Sequence, residues 1–138
     1  MARFRSDTVR NARLDAYETA IGVGAILRIY SGTIPADEGA ALGGAVLLAE
    51  GTLPSDWMAA ASTGSKVKAG TWTLTGQSGA GAGTDAEFYR LFASDGTTVH
   101  EQGSVTATGG GGDMTLNNNS ISNGQTVTVN TFTLTEPN

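Results

Sequence analysis

His100 is the only histidine of the 138-residue chain, and there is no cysteine. A nucleophilic mechanism would therefore need a serine and an acid brought to His100 by the fold alone, and no Gly-x-Ser-x-Gly elbow marks such a serine. Other residues with chemical potential are equally sparse. Asp37-Glu38 and Asp85 with Glu87 are close acidic pairs, but nothing selects either as a glycosidase pair, and calcium-loop spacing is absent. The run Gly79-Ala80-Gly81-Ala82-Gly83 lacks the Lys-Ser/Thr of a phosphate cradle and opens no helix, so it reads as a flexible loop. Trp57, Trp72, Tyr30 and Tyr89 could stack on a sugar, although large aromatics in a domain of this size are first of all core residues. Asn118-Asn119-Ser120 fits a glycosylation sequon, but with no secretory signal it reads as a polar turn. The expectation is a protein without enzymatic activity, cofactor or metal, whose function lies in its surfaces.

Charge is unevenly spread, which reflects either such surfaces or chance and solubility alone. Arg3, Arg5, Arg10, Arg13 and Arg28 give residues 1–28 a net charge of +2, and the remainder carries −7. An acidic body with a basic arm suits a chain whose two ends face different things. Such a balance argues against nucleic acid as a partner, which calls for a far larger basic footprint. No apolar run approaches the ~20 residues of a membrane span. Synthesis and assembly inside a cell are the simplest reading.

The elements that position these residues are expected to be mostly strands, since Gly, Thr, Ser, Ala and Asn dominate and only 15% of residues are charged. Residues 1–6 read as an arm, and Ser6 or Asp7 caps a helix over Thr8–Ile21 that Gly22 and Gly24 stop. Helical spacing lines up Leu14, Tyr17 and Ile21, with Ala12, Ala16 and Ala20 adjoining through Val9, and sets Asn11, Asp15, Glu18 and Thr19 opposite. Arg10 and Arg13 interrupt the apolar arc, as they would at a contact with a neighbouring chain or when snorkelling to water at a domain edge. Strands are expected at Ala25–Ser31, Ala45–Ala49, Lys66–Thr75, Met114–Leu116 and Gln125–Thr135. The third changes parity at Gly70 and the last across Asn130-Thr131, as bulged strands do. The clearest local signal is Asp95-Gly96 between Phe88–Ala93 and Thr97–Val105, a hairpin in which a two-residue turn pairs Phe92 with Val99, Leu91 with His100 and Arg90 with Glu101. A longer, bulged loop would shift that register. Both hairpin faces carry large apolar groups, so one needs a cover from a second sheet, the helix or another subunit. Seven or eight short bending strands predict an all-β domain, a β-sandwich or jelly roll over residues 25–138, preceded by the arm and amphipathic helix of residues 1–24.

Three segments carry a resemblance. The helix Val9–Gly22, the stretch Leu53-Pro54-Ser55-Asp56-Trp57-Met58-Ala59-Ala60-Ala61, and the ending from Gly112-Asp113-Met114-Thr115-Leu116 through Phe132-Thr133-Leu134 together resemble a family of small structural proteins of tailed-bacteriophage virions. The resemblance implies a sandwich or jelly-roll subunit and, within the virion, a capsid decoration (cement) protein, assembled in the host cytoplasm and placed on the capsid surface as a homo-oligomer. Its partners would be the major capsid protein and copies of itself, with no nucleic acid and no membrane. Arg3, Phe4, Arg5, Arg10 and Arg13 would then dock on an acidic surface of the shell or of a neighbouring subunit. A carbohydrate- or receptor-binding module of a tail or head fibre, or a neck or tail-completion component, is the alternative of the same composition.

Overall fold

Helix α1, Asp7–Ile21, begins where the sequence offers a cap. In the computed structural model, which describes residues 2–138, the Ser6 hydroxyl accepts the Val9 N–H, and Asp7 puts negative charge in the first turn. Gly22, at φ +87°, ends the helix with its N–H on the Glu18 carbonyl.

Ten strands follow: β1 Ile26–Ser31, β2 Val46–Thr52, β3 Ser65–Val67, β4 Thr73–Gly76, β5 Thr84–Asp85, β6 Phe88–Phe92, β7 Val99–Ala107, β8 Met114–Leu116, β9 Ser120–Ile121 and β10 Thr126–Thr135. The chain is thus mostly β with one helix, as expected. Seven strands form one closed, barrel-like sheet in the order β10-β4-β2-β1-β6-β7-β8, with β8 returning to β10. Closure depends on the length of β10. Thr126–Thr128 pair with β4, Val129–Phe132 with β8, and Thr133–Thr135 with β3. The parity flip at Asn130-Thr131 is a bulge in the β8 pairing, a bend that lets one strand serve three partners.

Lys66–Thr75 is likewise interrupted rather than continuous. β3 and β4 both lie along β10, but from Val67 to Leu74 the chain uses seven steps where β10, from Thr133 to Val127, uses six. Gly70, at φ +66°, sits in that interruption.

The β6–β7 hairpin has a four-residue connection, closed by the Ala93 N–H on the Thr98 carbonyl. The Asp95 carboxylate accepts the Thr98 hydroxyl and the N–H groups of Thr98 and Thr97, bonds that hold its carboxyl below the usual range. Phe92 pairs with Val99 as expected. A bulge at His100 then sets Leu91 opposite Glu101 and Arg90 opposite Gln102, in place of His100 and Glu101. This shift turns the Glu101 side chain toward the barrel interior.

Leu27, Ile29, Leu48, Leu74, Leu91 and Val127 fill that interior, each worth about 1.5–3 kcal/mol on burial. The outer face of β6 is buried too, and its cover is none of the expected three. The connection from β1 to β2, residues 32–45, folds over it. Arg90 Nη2 donates to the carbonyls of Asp37 and Ala40, and Gln102 donates to that of Pro35. Beneath it Tyr30 stacks on Phe88 with ring centres 5.1 Å apart, and Arg28, paired with Glu50, lies over the Phe92 ring. The glycine-rich stretch after β4 is also packed down rather than loose: it forms a short 3-10 turn at Ser78–Ala80, and Ala80 is buried.

Candidate functional site

The five N-terminal residues singled out by charge separate into two groups. Arg5, Arg10 and Arg13 converge on the C-terminal segment of their own chain. Arg13 Nη1 lies 2.6 Å and Arg5 Nη1 3.9 Å from the same Glu136 oxygen. Arg10 Nε donates to the Glu136 carbonyl at 3.0 Å, while its Nη1 pairs with Asp7. The Arg5 N–H donates to the Asn138 side chain. Arg3 and Phe4 are exposed, and Phe4, at 79%, is the most exposed large apolar residue described. Arg10 and Arg13 therefore interrupt the apolar arc of α1 because they tie the helix to the segment after β10.

The inner face of α1 differs from the amphipathic reading. Leu14, Tyr17 and Ile21 do pack on the barrel end. Asn11, Asp15 and Glu18, expected opposite them, also face the barrel, and Val9, Ala12, Ala16 and Ala20 face solvent. The reason lies in residues 57–69, which close this end of the barrel and leave several N–H groups without ladder partners. Glu18 accepts the Met58 N–H, Asp15 the Ala61 N–H, and Asn11 the Gly64 N–H. Satisfying these donors outweighs hiding four small apolar side chains, because an unsatisfied buried donor costs about 1–3 kcal/mol. Lys66, only 2% exposed, completes the seam, with Nζ at 2.7 Å from Asp15, 3.2 Å from Glu18 and 2.8 Å from the Ala59 carbonyl. The Lys66 hydrogen bond, more than any other contact, holds the Asp15 carboxyl below its ordinary value.

Beneath the helix, the inward-turned Glu101 accepts the hydroxyls of both Tyr17 and Tyr89. Burial first, and the Glu101 charge second, push both phenols well above their ordinary value. Ring contacts of 5.2–5.9 Å run from Tyr17 through Trp57, Trp72 and Phe132 to Tyr89, and Glu101 closes that chain into a loop. The indole N–H of Trp57 donates to the Gly22 carbonyl, and that of Trp72 to the carbonyls of Trp57 and Ala69. Gly103 must be glycine because the Tyr89 ring occupies the space of its missing side chain. Two neutral phenols clasping one carboxylate make a clamp between helix and barrel. The same packing settles the aromatic platform: Trp57, Trp72, Tyr89 and Tyr30 are all buried.

Lys66, Glu101 and Glu136 hold the site together and were not singled out from the sequence. Only Glu101 had a local signal, the hairpin register, and the bulge at His100 moved it from the partner of Arg90 to the partner of two tyrosines. His100 itself is exposed. Among the described residues no group of histidine and acidic side chains could hold a metal ion, and no helix is long and apolar enough to cross a membrane. No known protein family, curated protein or solved structure matches the chain.

Proposed function

We propose that this chain is a non-enzymatic structural protein of a tailed-phage virion, a capsid decoration protein that binds the assembled shell and reinforces it. The observation that carries the reading is the division of labour at the N-terminus. Arg5, Arg10 and Arg13 are engaged with the chain's own Glu136, while Arg3, Phe4 and the outer helix face of Val9, Ala12, Ala16 and Ala20 are left exposed on a body of net negative charge. An apolar surface with a basic tip at one end of an acidic barrel suits a protein that binds through that end and turns its loops to solvent. Contacts that span neighbouring shell subunits exist only after assembly, so they stabilise the shell by mass action. The partners on this reading are the major capsid protein and further copies of the chain.

The test is the copy number in purified virions, by quantitative mass spectrometry against the major capsid protein. Hundreds of copies are expected. A handful would move the protein to the neck, tail or fibres, and absence would overturn the virion reading. Deleting residues 2–4 should leave the fold intact and abolish co-sedimentation with shells. A longer truncation would confound the result, because Arg10 and Asn11 hold α1 to the barrel.

A further inference from the structure

We propose that the arm of one copy of this chain docks, through Phe4 and Arg3, into the cavity under residues 32–45 of a second copy, so that the molecules associate head to tail. The connection between β1 and β2 arches outward, and its two limbs, Gly32–Pro35 and Ala41–Ala45, flank a half-open recess of about 410 Å³. Ile34, Pro35, Ala41, Leu42 and Ala45 line it together with Thr33 and the backbone of Gly32, Gly43 and Gly44, and no charged side chain does. Between the two limbs, Asp37 and Glu38 are exposed, and neither belongs to an ion pair among the described residues. The arch is held in shape from beneath by the bonds that Arg90 and Gln102 make to its carbonyls. It is thus a preformed, mainly apolar recess in a loop that also carries two exposed acids, and a preformed site loses little freedom on binding.

The complement of such a hole is an aromatic side chain beside a cation. Arg3-Phe4 is that pair: Phe4 is the most exposed large apolar residue described, and Arg3 is exposed and in no ion pair among the described residues. Opposite charges across the contact would steer the approach and fix its orientation.

The arm cannot serve its own cavity. Arg5 is fixed to Asn138 and Glu136, just past the end of β10. The cavity lies beyond Ser31 and Val46, at the opposite end of the barrel, because β4 pairs with both β2 and the beginning of β10. The ten residues of β10 span about 33 Å between those ends. Phe4 is one residue from the Arg5 anchor, and a residue adds at most about 3.6 Å of backbone. The contact is therefore between copies. Because it joins unlike ends of two barrels, it is heterologous, and its repetition gives a ring or an open chain.

The absence of cysteine makes the test clean. Ala2→Cys chains are mixed with Ala41→Cys chains under mild oxidation, and the mixed disulfide is counted by mass spectrometry of the intact proteins. Both positions are exposed, and circular dichroism confirms that each variant is folded. The mixed dimer is expected well above that from Ala2→Cys with Thr97→Cys, an exposed position at the other end of the barrel. Phe4→Ala in the Ala2→Cys chain should lower it about tenfold or more, as loss of an aromatic anchor does. Arg3→Glu should also lower it, and Glu38→Lys in the partner should restore it. A yield equal to that of the Thr97→Cys control, or one indifferent to Phe4→Ala, would overturn the proposal. It concerns the isolated chain: an arm docked in a second copy is not free to bind the shell, and failure of this contact would leave the shell-binding reading standing.

Discussion

Alkaline pH should unfold this protein chiefly through two side chains, with a smaller contribution from the buried Tyr30. In an unfolded chain a tyrosine ionises near pH 10. In the folded chain Tyr17 and Tyr89 keep their protons well above that, because burial deprives a phenolate of water and the Glu101 carboxylate repels it. Their folded values are raised, so the stability they confer is complete below about pH 10 and is lost as the pH climbs from there toward those values. Each phenol that ionises only on unfolding steepens the loss by about 1.4 kcal/mol per pH unit, so the pair gives about 2.7. Between pH 10, where an unfolded tyrosine is half ionised, and pH 11.5 that removes about 3 kcal/mol, against a total of about 5–15 for an ordinary domain. Urea unfolding followed by the fluorescence of the buried Trp57 and Trp72 measures the slope directly. Tyr17→Phe should lower stability at pH 7 by about 1.5–3 kcal/mol, as loss of a hydrogen bond to a charged group does. It should also take about 1.4 kcal/mol per pH unit out of the alkaline slope. The reasoning is refuted if Tyr17→Phe retains the full slope. It is equally refuted if phenolate absorbance from Tyr17 and Tyr89 appears near pH 10 while the tryptophan signal is still native.

Three further outcomes follow from the same contacts. Lys66→Met strips Asp15 and Glu18 of their shared cation; removing one partner of a buried pair costs about 3–5 kcal/mol, and the partial exposure of both carboxylates should lower this to about 2, read from urea midpoints. The Asp15 carboxyl is held low in the fold, so its contribution is present above about pH 4 and fades as pH falls through the folded value; Asp15→Asn should flatten the acid limb of a stability–pH curve. Gly103→Ala drives a methyl group into the Tyr89 ring and should cost about 1–3 kcal/mol in thermal or urea unfolding, whereas Glu136→Ala, which removes partly exposed ion pairs, should cost about 1 while speeding amide exchange in the first turn of α1.

What could be read in advance was local. Ser6 and Gly22 bound the helix, Met114–Leu116 is a strand as expected, Asn130 is a bulge, and Trp57 and Trp72 pack into the core. Each rests on a residue's own backbone preference or size, which its neighbours in sequence do not alter. The closure of the barrel could not be read in this way, because the β8–β10 and β4–β10 pairings join distant segments through backbone groups that every residue carries. The orientation of α1 failed for a related reason. Periodicity sorts side chains by hydropathy, yet the surface that α1 meets is a row of backbone donors, which selects Asn11, Asp15 and Glu18 over Ala12, Ala16 and Ala20. The five arginine and phenylalanine positions were visible as a charge cluster, but which of them turn inward was decided by Glu136, more than 120 residues away in the chain.

One strand with three partners also dictates an order of events. The β1–β2 and β6–β7 pairs can form early, since each joins segments close in sequence. β10 must find β4 about 50 residues upstream, and the entropy of closing so long a loop is spent before any contact rewards it. Docking of β10 is therefore expected to be the slow step. Until it happens, β4 and β8 present open hydrogen-bonding edges, the kind of surface on which chains join one another instead of completing themselves. Substitutions at Val127, Val129 or Phe132 should then raise the aggregated fraction on refolding by more than their effect on native stability would suggest, because they lengthen the time during which the sheet stands open.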